Sequence, residues 1–335
     1  MELFGLLPDG QVVNSFELIN EKGMRVKGIN YGAAIISLKV PNKEGELVDV
    51  VLGFDTLASY LDSFELAGAP YFGATVGRFA GRINKGEFDL NGESFYLNKN
   101  NNGHSLHGGI NNFSQKIWKL EKITQGKNPS VSLSYVSPDK EENYPGELSV
   151  SLTYTLSEDN ELSIEYKATT TKDTVVNLTH HSYFNLDGHQ STVLNQDLIV
   201  NASKVLEKTS ENIPTGKFLE LENSAFDYKT AKKCPTNIDD TFVLDNKNEF
   251  AASLFNEAND LKMTVYTNQP AVHVYVGGSC QDIKGKNGVV YHPFTGICFE
   301  TQNFPDAPNQ NHFPSAVLRK GENYHQNTRY KFDLV

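Results

Sequence analysis

Two short segments, far apart in the chain, each set a pair of histidines in a turn-forming polar frame. They are Gly103-His104-Ser105-Leu106-His107-Gly108-Gly109 and Asn177-Leu178-Thr179-His180-His181-Ser182-Tyr183-Phe184-Asn185-Leu186. Histidine has the unperturbed pKa nearest neutrality, so it lends or accepts a proton under mild conditions. The chain has nine histidines, and four of them stand in these two places. A third segment, Gly296-Ile297-Cys298-Phe299-Glu300-Thr301-Gln302-Asn303-Phe304-Pro305, puts a glutamate at the end of an apolar strand. A carboxylate and an imidazole in one site could do general acid–base chemistry.

Alternation bears on Glu300. If Ile297 and Phe299 face a core, Cys298 and Glu300 share the opposite face. There Glu300, flanked by Thr301 and Gln302, would line a concave polar site and could act as a base. The competing reading is a solvated glutamate at a strand end. His180 and His181 are neighbours, so in an extended segment they point to opposite faces and at most one reaches a given site. His104 reads as a loop residue bonded to nearby backbone. His104-x-x-His107 with His181 is a poor zinc set, because it sits in a glycine-rich loop without the His-Glu-x-x-His spacing or a supporting cysteine. No metal is expected.

Two further segments look specialised. Gly73-Ala74-Thr75-Val76-Gly77-Arg78-Phe79-Ala80-Gly81-Arg82-Ile83 puts Arg78 and Arg82 in a glycine-rich stretch. Without a nest-like loop at a helix start, they are weak candidates for a phosphate grip. Arg78 reads as half of a structural ion pair. Arg82 suits bidentate hydrogen bonds to neighbouring hydroxyls of a ligand equally well. Asn237-Ile238-Asp239-Asp240-Thr241-Phe242-Val243 places Asp239 just before a β run.

The elements that would hold these residues are strands almost throughout. From Glu147 to Leu156, Leu148, Val150, Leu152, Tyr154 and Leu156 alternate with polar residues. After the turn Ser157-Glu158-Asp159-Asn160, the pattern resumes with Leu162, Ile164, Tyr166 and Ala168. That is an antiparallel hairpin with one buried face. Asn91-Gly92 predicts a second hairpin between Gly86–Leu90 and Glu93–Leu97, since Asn-Gly accepts the positive φ of a tight turn. Further β runs are expected at Val131–Val136, Lys262–Thr267, Ala271–Val276 and Ile297–Thr301. One short helix is expected, capped by Asp55, with Leu57, Tyr60, Leu61 and Phe64 on its apolar face. With no helix alternating regularly with strand, the pattern points to an all-β chain, a large antiparallel β-sandwich with one or two short helices.

Composition sets the outer limits. The 335 residues can bury a full core, and no linker or repeat divides them, so a single domain over 1–335 is expected. The formal net charge of −11, without a basic run, speaks against nucleic acid as a partner. Cys234, Cys280 and Cys298 are odd in number and widely spaced, and read as free thiols in a reducing compartment. The N-terminus lacks signal-peptide features, and no apolar run approaches the ~20 residues that span a bilayer. A soluble cytoplasmic protein is the expectation.

Taken together, the segments resemble the galactose mutarotase (aldose 1-epimerase) family over nearly the whole chain. The stretches that carry the resemblance are Gly77–Ile83, Ser105–Gly109, Asn177–Leu186, Ile238–Phe242, Gln269–Tyr275 and Glu300–Asn309. Each alone is a modest signal, and six in the family's order are a strong one. The resemblance implies the family's large antiparallel sandwich. It also implies an isomerase that interconverts the anomers of free hexoses such as galactose and glucose, without cofactor or metal. By the same resemblance, Glu300 is the base that takes the C1 hydroxyl proton. His181 is the acid that protonates the ring oxygen, and His107 bonds the substrate near the reacting centre. Arg82 and Asp239 bind hydroxyls on the far side of the ring. The chain departs from the family's usual residues at Gly81, where Asn is common, and at His273, where Gln is common; both bear on sugar preference. His273 remains a substrate-binding candidate. A monomer or homodimer acting on a small sugar, with neither nucleic acid nor membrane as partner, completes the expectation. The alternatives are a hexose-6-phosphate epimerase and a non-catalytic sugar-binding module on the same fold. A glycosidase is disfavoured because no second carboxylate pairs with Glu300.

Overall fold

The computed structural model describes residues 1–66, 68–245 and 249–335. Its strands form three principal antiparallel sheets. A five-stranded N-terminal meander runs from Glu2–Leu6 through Val12–Ile19, Arg25–Ile29 and Ile35–Pro41 to Leu47–Asp49. A nine-stranded sheet has at its centre the neighbours Leu148–Leu156, Glu161–Thr170, Tyr324–Leu334 and Leu261–Thr267. A six-stranded sheet has the order Tyr183–Phe184, Ile297–Gln302, Ala271–Val276, Asp239–Leu244, Ala202–Lys208 and Pro214–Glu220.

The predicted hairpin pairs Leu148–Leu156 with Glu161–Thr170, and every apolar residue expected on its inner face is buried. Asn91 and Gly92 both take positive φ between Glu87–Leu90 and Glu93–Tyr96, which is what a tight two-residue turn requires. Residues from all three sheets share one core: Phe16 and Leu38, Leu152 and Tyr330, and Phe242, Val272 and Phe299. Truncating such a residue to alanine costs about 3–5 kcal/mol for an aromatic side chain.

The helix spans Leu57–Ser63 and is the one α-helix among the described residues. Its cap corrects the expectation. Thr56, in an extended conformation, accepts from the Ser59 N–H, while Asp55 turns away to accept from the backbone N–H of Asn287. Both residue types cap well, so the local sequence cannot separate them; a tertiary contact engages Asp55. No helix among the described residues is long and apolar enough to cross a membrane.

The six-stranded sheet positions the functional groups. Val272, Val274 and Val276 enter the shared core, which turns His273 and Tyr275 to the other face. Ile297 and Phe299 do the same on the next strand and leave Glu300 and Gln302 outward. The ladder sets His273 opposite Glu300 and Thr241 opposite His273. A one-residue slip would send this whole polar row into the core.

Candidate active site

A cavity of about 400 Å³ lies over that polar face, a size typical of small-molecule sites. Glu300, His181, His107, Arg82, Asp239 and His273 all line it, so every site residue expected from the sequence reaches one pocket.

Glu300 forms the floor. Its side chain is 3% exposed, within a strand whose six residues are all buried. The solvated strand-end reading is thereby displaced. Its Oε1 lies 3.5 Å from Nε2 of His181. His181 follows the strand Thr179–His180, which pairs with Thr75–Val76. Its backbone is clamped, the N–H donating to the Ala74 carbonyl at 2.9 Å and the carbonyl accepting from the Gly73 N–H at 3.0 Å. Gly73 must be glycine here. Its φ is +65°, and a Cβ would stand 1.9 Å from the Ile35 carbonyl oxygen. His180 points away, as alternation requires, into a buried space beside Tyr154.

His107 arrives from a loop. The strand Arg82–Ile83 pairs with Ser105–Leu106, and the His107 N–H donates to the Gly81 carbonyl at 3.0 Å. The Gly81 N–H returns a bond to Nδ1 of His107 at 3.3 Å. An accepting Nδ1 puts the neutral ring's proton on Nε2. Burial, reinforced by the nearby His181, Arg82 and His273 charges, holds His107 well below the usual histidine range. The ring is therefore a neutral donor. Tyr71 packs against both imidazoles, with ring centroids 5.0 Å from His107 and 5.7 Å from His181.

A second polar cluster continues along the same sheet face, on the strands next to Glu300. Asp239 Oδ1 meets Nε2 of His273 at 2.9 Å, and its Oδ2 accepts from Asn212 Nδ2 at 3.1 Å. His273 Nδ1 lies 2.8 Å from Thr241 Oγ1. Burial alone would lower His273, but the hydrogen bond and charge of Asp239, with Glu300 behind it, raise it above its ordinary value. Asp239 is held low, because His273, Lys208 and Arg82 outweigh the effect of its burial. Arg82 Nε donates to Asn101 Oδ1 at 3.0 Å. Lys208 is tied to Asp240 at 3.0 Å.

Arg78 does not line the pocket, and among the described residues it has no ion-pair partner. It is 1% exposed and donates to the carbonyls of Ser137, Pro145 and Gly146 and to the hydroxyls of Ser137 and Thr174. His104, read as a loop residue, accepts from the Lys85 N–H through Nδ1. Tyr71 and Asn212 were missed, because neither belongs to an acid–base pattern. Thr241 was findable, since it stands two residues from Asp239 and so shares its face.

His107, His181 and Glu300 offer one ligand atom each, all within 4.8 Å of one another. A tetrahedral zinc takes nitrogen and oxygen ligands roughly 3.3–3.6 Å apart, a spacing that His181 Nε2 and Glu300 Oε1 meet at 3.5 Å. The same neighbouring acid and base, facing a cavity, also suit proton transfer.

Comparison with known proteins agrees with this chemistry. The family model described as aldose 1-epimerase matches residues 14–331. Galactose mutarotases of Mus musculus and Homo sapiens are 40% and 39% identical to the chain, each alignment covering 99% of it and 98% of the relative. An aldose 1-epimerase of Haemophilus influenzae is 35% identical, with 97% of both chains covered. Among solved structures, a GalM/aldose epimerase homologue from C. elegans superposes with a TM-score of 0.89 at 29% identity, covering 96% of this chain and 99% of that one. A galactose 1-epimerase from Lactobacillus acidophilus gives 0.85 at 26% identity, covering 99% and 97%.

Proposed function

The chain belongs to the aldose 1-epimerase family and is an isomerase, and we propose that its pocket interconverts the α and β anomers of free hexoses such as galactose and glucose. The observation that carries this reading is the buried Glu300 carboxylate 3.5 Å from Nε2 of His181. Residues 1–335 act as one domain in this reading, supported by the core that all three sheets share.

Ring opening removes a proton from the C1 hydroxyl and adds one to the ring oxygen. Glu300 takes the first and His181 gives the second from Nε2. The C1–O5 electron pair goes to O5, and C1 becomes the aldehyde carbon. Rotation about C1–C2 and reclosure, with the two groups exchanging roles, yields the other anomer. A carboxylate and an imidazole are well suited to both transfers without a covalent intermediate. His107 donates from Nε2 to a substrate oxygen near the reacting centre. Arg82 and Asp239 bind hydroxyls across the ring. His273, whose two ring nitrogens are taken by Asp239 and Thr241, corrects the sequence expectation by orienting Asp239, with Asn212, rather than binding sugar itself. Arg82 and Lys208 are the lysine and arginine side chains among the described lining residues, and each already has a partner. Lys208 is neutralised by Asp240, so Arg82 is the one cation among the described lining residues left to meet a 6-phosphate, which favours unphosphorylated sugars.

The test is polarimetry of freshly dissolved α-galactose. The expected outcome is decay of optical rotation faster than in buffer, and no acceleration would refute the reading. Glu300→Gln should lower kcat by at least about 100-fold, the scale of general-base catalysis, while sugar binding stays within a few-fold. An unaffected rate would remove Glu300 from the mechanism.

A further inference from the structure

The alternation that turns Glu300 into the pocket also places a thiol beneath the acid. Cys298 lies two residues before Glu300, is fully buried, and sets its Sγ 3.6 Å from Nδ1 of His181. The other ring nitrogen is the one facing Glu300. The imidazole is thus engaged at both nitrogens, and Cys298 is the hydrogen-bond partner of Nδ1 among the described residues.

We propose that Cys298 is the positioning residue of the general acid: its sulfur accepts the Nδ1–H of His181 and leaves Nε2 as the nitrogen that exchanges protons with the sugar. The proposal rests on the acid–base reading of the pocket given above. An imidazolium carries N–H groups on both nitrogens and keeps one after giving up the other. For His181 to act through Nε2, the retained proton must sit on Nδ1. A buried donor left without an acceptor costs free energy, so something must receive it. Sulfur does so weakly. That weakness suits an acid, because a carboxylate in the same place would hold the imidazolium more firmly and oppose release of its proton.

Burial pushes the Cys298 thiol well above its ordinary range, so the group stays a neutral thiol and adds no charge. The titratable groups packed around the ring are Glu300, His107, Tyr71 and Tyr183, with His180 behind it and Cys280 near the sulfur. Cys298 is the one whose contact is to Nδ1. Proton balance is unchanged: Nε2–H goes to O5, Glu300 takes the C1 hydroxyl proton, and the Nδ1 proton stays on the ring.

Cys298→Ala removes the acceptor, and Cys298→Ser keeps one in a side chain of similar size. Two readouts apply: mutarotation from about pH 5 to 9, and the ¹⁵N shifts of the His181 ring in labelled protein. In Cys298→Ala, kcat should fall about five- to tenfold, the worth of one hydrogen bond, with KM nearly unchanged. The basic limb of its pH profile should move to lower pH, because the imidazolium loses an acceptor. Its nitrogen shifts should lose the Nδ1–H signature. Cys298→Ser should keep that signature and recover part of kcat. Unchanged nitrogen shifts and an unchanged pH profile in Cys298→Ala overturn the proposal, even if the melting temperature falls. The shifts report the Cys298 contact whether or not sugar turns over, so failure here is distinguishable from failure of the proposed function.

Discussion

Glu300 is a carboxylate in a strand whose other members are buried, a position that costs free energy unless partners compensate. One such partner is His181, whose Nε2 lies 3.5 Å away. On the neighbouring strands, Asp239 and His273 form a charged pair that Gln at position 273 would break. The sign of its pH dependence follows from the two shifts. His273 is raised, so its contribution is complete below the ordinary histidine pKa and fades as pH rises through the raised value. Asp239 is lowered, so its contribution is complete above the ordinary aspartate pKa and fades in stronger acid. The pair therefore stabilises most between about pH 4 and 6.5. His273→Gln should lose most in that window and little near pH 9. Since Asp239 keeps 38% exposure, solvent screening limits the gap to under about 1 kcal/mol. Thermal unfolding of both proteins across pH measures it, and a gap that widens towards alkaline pH contradicts the assignment.

At the scale of elements, the site joins one face of the six-stranded sheet to three segments outside it that are tied down by backbone bonds. The sheet gives Asp239, Thr241, His273, Glu300 and Gln302 on adjacent strands, in a register that side-chain alternation fixes. Those segments carry Arg82 on a two-residue strand and His107 and His181 just beyond short strands, and their accuracy rests on close backbone approach. Gly73 shows how tight this is, since it bonds the His181 carbonyl on one side and meets the Ile35 carbonyl on the other. Gly73→Ala should destabilise the protein by roughly 2–4 kcal/mol, adding a positive-φ penalty to a backbone clash. It should also lower kcat by displacing His181. Denaturant titration and polarimetry read the two effects, and a variant that loses stability with kcat intact would separate Gly73 from the site.

For the whole molecule, buried histidines make stability depend on pH. Burial, with the neighbouring His181 charge, lowers His180 to about 3, and His107 is also held low. Between that value and the ordinary 6.5, the unfolded chain binds protons that the native state does not. Stability from these groups is thus complete above about pH 6.5 and declines as pH falls below it. His180→Leu, close in volume and untitratable, should show a smaller drop in melting temperature between about pH 7 and 5. Because His180 faces away from the pocket, mutarotation should persist in that variant. An equal drop in both proteins would show that His180 does not govern the acid response.

The sequence by itself determined the strands, their buried faces, the Asn91-Gly92 turn and the face Glu300 shares with Cys298. These are local consequences of a two-residue period and of turn stereochemistry. It also named candidate site residues, through motifs whose order along the chain resembled a family. Only the tertiary structure decided that Glu300 is buried rather than solvated, that Thr56 rather than Asp55 caps the helix, and that carbonyls and hydroxyls rather than a carboxylate hold Arg78. It alone brought Tyr71 and Asn212 to the pocket and set sulfur against Nδ1 of His181. Each of these depends on groups far apart in the chain meeting in space, and no local pattern of residues encodes such a meeting.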